Sequence, residues 1–235
     1  MKSDTQKSAE FWEQPEQVKR FSERTPDHRL AELIKKFHSP ERKKILDVGC
    51  AGGRNTIFLL ERSFDVWAVD NSGAMIRETR RRARPYLADK TAEHIRVGQM
   101  QDLSVFKNGF FDLIVALGIL HLAKNENEFV TVLAELERIL KVKGLLLVSN
   151  FSRGHARKGV TPIKVRNSKY VFSGFYSGNL CLLTEKQLDK EFYKKGLEPA
   201  EKTYTVKKES EEGKRVTVNA LYKKVKGLND EGQNR

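Results

Sequence analysis

The stretch Ile45-Leu46-Asp47-Val48-Gly49-Cys50-Ala51-Gly52-Gly53-Arg54 decides the fold. Ile45 to Val48 is a short apolar run of the length expected for a buried strand. The turn Gly49 to Gly53 follows, and a helical pattern resumes over about Arg54 to Arg62. A glycine-rich turn between a first strand and a helix lets a ligand approach the backbone without a Cβ in the way. The competing pattern is the dinucleotide fingerprint GxGxxG. Counted from Gly49, it requires glycine at 51 and glycine or alanine at 54, where this chain has Ala51 and Arg54. A pyrophosphate-binding loop therefore fits poorly.

Downstream of this stretch, strands and helices alternate. Val66 to Val69 reads as a second strand ending at Asp70, 23 positions beyond Asp47. A carboxylate at that strand end can accept both ribose hydroxyls of an adenosyl ligand; the competing reading is a cap for the helix starting near Ser72. A basic helix is expected from about Gly73 to Arg84, stopping at Pro85, then strands at Ile95 to Val97 and Phe111 to Ala116. A long amphipathic helix over about Glu126 to Leu140 and a strand over Leu145 to Asn150 complete the series. Strands alternating with helices imply βαβ units and a mostly parallel sheet.

Upstream, Ala9 to Phe37 reads as helical, with Thr25-Pro26 as a cap and first-turn proline, and Ser39-Pro40 breaks it. Phe151 to Thr184 contains no Asp or Glu but six Lys or Arg residues. A helix over Glu185 to Lys195, capped by Thr184 and ended by Gly196, leads to a hairpin pattern. Its strands are Lys202 to Lys207 and Val216 to Lys223, joined by the polar turn Glu211 to Lys214. The expected organisation is a single domain over 1–225. It divides into an N-terminal helical lid (1–40), a cofactor-binding core (41–150), a basic acceptor-site insertion (151–183) and a C-terminal helix and hairpin (184–225), with a polar tail over 226–235.

Composition bounds the function. Hydrophobic residues at 39% and charged residues at 32% describe a globular chain rather than a disordered one. No apolar run is long enough to span a bilayer, and Met1 to Glu10 lacks the apolar core of a signal peptide, so a cytoplasmic protein is expected. The two cysteines form no CxxC pair and the five histidines are scattered, so neither a disulfide framework nor a metal site is expected. A net charge of +13 favours acidic partners, among them anionic metabolites and RNA, or describes a solvated basic face.

Taken together, Phe37 to Val148 resembles the class I S-adenosylmethionine-dependent methyltransferases of the broad group that acts on metabolites. Asp47 to Gly53 resembles that family's cofactor loop, with Ala51 at its middle glycine, and Asp70 its ribose-binding acid. Gly98 to Leu103 resembles the adenine-contact segment, with Gln99 where an aspartate is more usual. Phe111 to Val115 resembles the fourth strand, and Glu137 to Gly144 the turn before the fifth. The resemblance implies a doubly wound, Rossmann-like α/β fold with a seven-stranded sheet, an inserted antiparallel last strand, and S-adenosyl-L-methionine as cofactor with S-adenosyl-L-homocysteine as product. It implies that the methionine end lies over Gly49, Cys50, Ala51 and Gly53, oriented by Asp47 and near the Leu117 carbonyl. Asp70 would take the ribose, Asn71 and Met75 would lie near the adenine, and Met100, Gln101 and Asp102 would face its other side. Trp12, with Phe21, would close over the cofactor.

For the acceptor, His121 just past the fourth strand is the candidate base, against a packing role. His155, Arg166, Tyr170 and Tyr176 in the basic stretch are candidate acceptor contacts, against ordinary loop packing. The chain lacks an Asn-Pro-Pro-Tyr-like tetrapeptide and a cysteine placed for C5-pyrimidine chemistry. A small-molecule, anionic acceptor is the expectation. The alternatives are an RNA methyltransferase and a non-catalytic cofactor-binding sensor.

Overall fold

The structure, a computed structural model, describes residues 10–225; the expected polar tail from Lys226 lies outside the described residues. Strand β1 (Lys44–Val48) pairs in parallel with β2 (Asp65–Asp70) on one side and β4 (Phe111–Leu117) on the other. β3 (Ile95–Val97) extends the sheet beyond β2, and β5 (Leu140–Phe151) extends it beyond β4. The last strand, β12 (Gly213–Lys224), inserts antiparallel between β5 and β10 (Leu197–Pro199). The order β3-β2-β1-β4-β5-β12-β10 is thus a seven-strand path, with β11 (Tyr204–Ser210) and β6 (Ala156–Arg157) pairing β12 beside it.

Strand periodicity divides the core into two layers. Ile45, Leu113, Val115 and Leu147 face one side, against α2 (His28–Ile34), α3 (Arg54–Leu60) and α4 (Gly73–Leu87). Leu46, Val48, Ile114, Ala116, Leu146 and Val148 face the other, against α6 (Glu126–Ile139) and α7 (Glu185–Tyr193). Neighbours in register share a face, as in Ile45–Leu113–Leu145 and Leu46–Ile114–Leu146, because the side-chain period is two. Strands buried on both faces read as unbroken apolar runs. The short helix α5 (Thr91–His94) precedes β3.

Local boundaries depart from expectation in four places. The N-terminal helical stretch is interrupted: α1 (Pro15–Ser22) ends well before α2, and α2 is capped by Asp27, whose carboxylate accepts the Arg29 N–H, not by Thr25. Helix α4 continues through Pro85 to Leu87; the carbonyl that the proline leaves without a donor belongs to Arg81 on the exposed face, where water can satisfy it. The anticipated turn at Lys141 to Gly144 is a bulge inside β5. Phe111 pairs Leu140 while Leu113 pairs Leu145, Lys143 turns left-handed (φ +67°), and a Cβ on Gly144 would meet the Lys141 carbonyl at 2.8 Å. The basic insertion is a small sheet, β7 (Ile163–Lys164), β8 (Val171–Phe175) and β9 (Gly178–Cys181), with Phe175, Leu180 and Leu182 packed on Leu122 and Phe151.

Candidate cofactor and acceptor site

The connections from β1 and β4 leave the sheet in opposite directions, toward β2 and toward β5. In a doubly wound sheet the crevice at such a switch point, outside the carboxyl ends of the strands, is where ligands sit. Gly49 to Gly53 and Leu117-Gly118 border this crevice. Gly49, Ala51 and Gly53 all have positive φ. A Cβ on Gly49 would lie 2.1 Å from the Ile119 side chain, and one on Gly52 would lie 2.6 Å from Ser22. Glycine here thus lets the segment after β4 and the N-terminal segment close directly onto the loop. Around Gly118 the space is open: apart from its two chain neighbours, no atom of the described residues lies within 4 Å of the place a Cβ would take.

Two carboxylates flank the loop. The Asp70 carboxylate accepts the Ala51 N–H through one oxygen and the Ser72 N–H through the other, both at 2.9 Å, and burial raises its pKa. Capping of α4 falls to Ser72, whose hydroxyl accepts the Met75 N–H, so the cap reading of Asp70 gives way. Asp47 is 2% exposed and takes a hydrogen bond from the Thr56 hydroxyl at 2.7 Å; desolvation lifts its pKa to about 6. The Gly98 N–H donates to the Asp70 carbonyl, which brings the tight turn Gln99 to Asp102 beside β2. In that turn Gln101 bonds Gln99, while the exposed Asp102 carboxylate accepts from Ser104. Met100 packs on the core, Met75 is buried, Asn71 is exposed, and Cys50 is a buried thiol whose pKa burial pushes up.

The N-terminal segment covers this arrangement. The Ser72 hydroxyl donates to the Trp12 carbonyl and to the Glu13 carboxylate, which also accepts the Ala74 N–H at 3.1 Å. The Ser72 hydrogen bond holds the Glu13 pKa below its usual value. Trp12 stands edge-on to Phe11 and Phe21, and the Arg82 guanidinium donates to both the Ser22 and Gly52 carbonyls.

On the acceptor side, His121 and His155 both stack on Phe151, with ring centres 4.0 and 3.8 Å away. Phe175 continues the column beyond His155 at 6.0 Å. Burial, followed by the neighbouring His155 and Arg215, pulls the His121 pKa down to about 3; burial, then Arg215, takes His155 to about 4. Nδ1 of each ring is buried without a partner among the described residues. The other acceptor candidates lie elsewhere. Tyr170 is 2% exposed and packs on Phe129 in the core, where burial raises its hydroxyl pKa, so it is a packing residue. Arg166 and Tyr176 are exposed in the β7–β8 connection and at the β8–β9 turn.

Thr56, Ser72, Glu13, Phe151 and Arg215 belong to the arrangement but escaped the sequence reading. Thr56 and Ser72 had a readable signal, as hydroxyls at the starts of the helices that follow the two acids. Arg215 had none: only the register of Thr217 with Phe151 carries it to the column.

Residues 45–144 match the family described as Methyltransferase domain. A Bacillus subtilis (strain 168) relative named as a methyltransferase, YqeM, is 26% identical over 110 residues, covering 46% of this chain and 42% of its own length. The match thus spans less than half of that relative. A SAM-dependent methyltransferase structure from Methanosarcina mazei superposes with a TM-score of 0.63 at 22% identity, over 82% of this chain and 97% of the other. The structure of the Burkholderia thailandensis 1,6-didemethyltoxoflavin-N1-methyltransferase, with bound 1,6-didemethyltoxoflavin and S-adenosylhomocysteine, gives a TM-score of 0.62 at 18% identity, over 94% and 84% of the two chains. Residues 45–144 thus match a methyltransferase domain, and the chain shares its fold with solved S-adenosylmethionine-dependent methyltransferases.

Proposed function

We propose that this chain transfers a methyl group from S-adenosylmethionine to a small, anionic acceptor. S-adenosylmethionine held by these residues would supply an electrophilic methyl to an acceptor O, N or S, with the C–S bonding pair left on S-adenosylhomocysteine and the acceptor's proton passed to solvent. The site residues fit that cofactor. Asp70 accepts the Ala51 and Ser72 N–H groups, one on each oxygen, and its remaining lone pairs suit ribose hydroxyls. Asp47 orients the methionine end over Gly49 to Gly53. Asn71, Met75 and the Met100 to Asp102 turn border the adenine, and Trp12 belongs to the lid. His121, neutral through the physiological range, serves as a hydrogen-bond partner of the acceptor better than as a strong base.

The observation that carries the small acceptor is the engagement of the α4 arginines. Arg77 faces Glu13, Arg81 pairs Glu78, Arg80 donates to the Ile95 carbonyl and Arg82 to Ser22 and Gly52. Arg80 and Arg82 brace the domain and the lid, and the exposed Arg77 and Arg81 are paired with carboxylates, an arrangement that suits RNA phosphates less well than a row of unpaired cations. The test is transfer of labelled methyl into the metabolite, RNA and protein fractions separated from a whole-cell extract, each offered on its own. Label in acid-soluble metabolites supports the reading, and ribonuclease-sensitive label overturns it in favour of RNA.

A further inference from the structure

The carboxylate at the end of β1 depends on a threonine from the next helix. Among the described residues, the side chain that donates to Asp47 is Thr56, whose hydroxyl reaches Oδ2 at 2.7 Å. No lysine or arginine forms an ion pair with that carboxylate among them. Arg54, whose charge acts on it, donates instead to the Thr25 carbonyl. A buried carboxylate without a cation is costly, and this one sits two residues before the glycine turn.

The contact is built by the loop. The left-handed turns at Gly49 and Gly53 bring the first turn of α3 back onto Asp47, nine residues earlier. A helical threonine commonly returns its hydroxyl to the carbonyl four residues back, which here is Gly52. That carbonyl is taken by the Arg82 guanidinium, and the Thr56 proton goes to Asp47. The torsion that turns a carboxylate is soft, whereas a β-branched side chain is stiff at χ1. A short bond from a fully buried threonine therefore fixes the carboxylate plane. The same bond favours the ionised acid, against the burial that opposes it.

We infer that Thr56 is the positioning residue for the methionine end of the cofactor. Its hydroxyl fixes one oxygen of Asp47, so that the carboxylate turns its remaining lone pairs to the ammonium group of that end. This rests on the methyltransferase reading and on the place of Asp47 within it, and adds the residue through which that acid is aimed.

The test compares two ligands by calorimetry on the full chain. S-adenosylhomocysteine carries the ammonium; 5′-methylthioadenosine keeps the adenine, ribose and sulfur but lacks the amino acid end. Thr56→Val, which removes the hydroxyl and nearly keeps the shape, should weaken S-adenosylhomocysteine at least tenfold and 5′-methylthioadenosine less than twofold. Thr56→Ser should bind S-adenosylhomocysteine at least threefold more tightly than Thr56→Ala, with the two within twofold for 5′-methylthioadenosine. That pair repeats the comparison should the valine variant not fold. Equal weakening of both ligands, unchanged S-adenosylhomocysteine affinity in Thr56→Val, or a serine variant no better than alanine overturns the inference. A wild-type protein that binds the two ligands equally would remove the role of Asp47 and this inference with it. One that binds neither would instead fell the methyltransferase reading.

Discussion

The backbone N–H of Ala51 donates to the carboxylate of Asp70 at 2.9 Å. That bond joins the turn after β1 to the end of β2, and holds Ala51 at φ +48°, a conformation glycine adopts more easily. The acid proposed for the ribose therefore also shapes the loop proposed for the methionine end. Asp70→Ala should weaken S-adenosylhomocysteine binding at least tenfold by calorimetry. Asp70→Asn, which retains one carbonyl oxygen for the Ala51 N–H, should preserve the thermal midpoint better than alanine does. Wild-type affinity in Asp70→Ala would remove the ribose assignment.

Asp47 should limit stability at neutral pH. Its folded pKa lies near 6 against about 3.8 unfolded, because burial disfavours the anion. The folded state therefore binds the proton more tightly, and stability falls as pH rises through the window from about 4 to 6. Asp47→Asn is expected to be more stable than wild type by about 3 kcal/mol at pH 7, since each pH step between the unfolded and folded values costs about 1.4 kcal/mol, and the difference should shrink below pH 4. Urea unfolding at pH 7 and pH 4 measures both, and S-adenosylhomocysteine binding should be weaker in the variant.

The two column histidines predict the opposite slope. Both are held neutral in the fold, at about 3 and 4 against 6.5, so the unfolded chain takes up protons first and stability falls as pH drops below 6.5. Each should contribute a slope of up to ~1.4 kcal/mol per pH unit between 6.5 and its folded value. In NMR titrations neither ring should show a midpoint above 5. His155→Phe should flatten the acid limb of the stability curve.

Docking of the N-terminal segment should depend on the absence of a Cβ at position 52. Gly52→Ala would put a methyl 2.8 Å from the Ser22 backbone, where no rotamer can give way. The expected outcome is a loss of about 1–3 kcal/mol and faster proteolysis between α1 and α2. Unchanged protease resistance would show that the segment is held by other contacts.

Glu13 provides a second, pH-sensitive hold on the same segment. Its pKa is lowered by the Ser72 hydroxyl and the Ala74 N–H, so the contact is complete above the unfolded carboxylate value of about 4.5 and is lost as pH falls through the lower folded value. Glu13→Gln should speed hydrogen exchange over residues 10–22 and accelerate S-adenosylhomocysteine release, read by stopped flow.

The sequence by itself determined the doubly wound sheet, the loop after β1 and the two acids at the ends of β1 and β2. Each is written in adjacent residues: apolar runs of strand length, glycines at consecutive turn positions, and a carboxylate one βαβ unit downstream. The bulge at Lys141 to Gly144 and the continuation of α4 through Pro85 were not legible, because tertiary packing there outweighs local turn preference. The acceptor side was decided only in three dimensions. His121, Phe151, His155 and Arg215 lie on three separate segments, and no spacing links them; the pairing of β12 with β5 and the small sheet over Leu122 bring them together. Tyr170, read as an acceptor contact, went to the core because an aromatic ring beside Phe129 gains more from burial than from facing a crevice. Local pattern specifies which elements form and where a loop must be free of Cβ atoms. Which distant side chains share a solvent-free space, and so what their protons do, follows from strand order and packing alone.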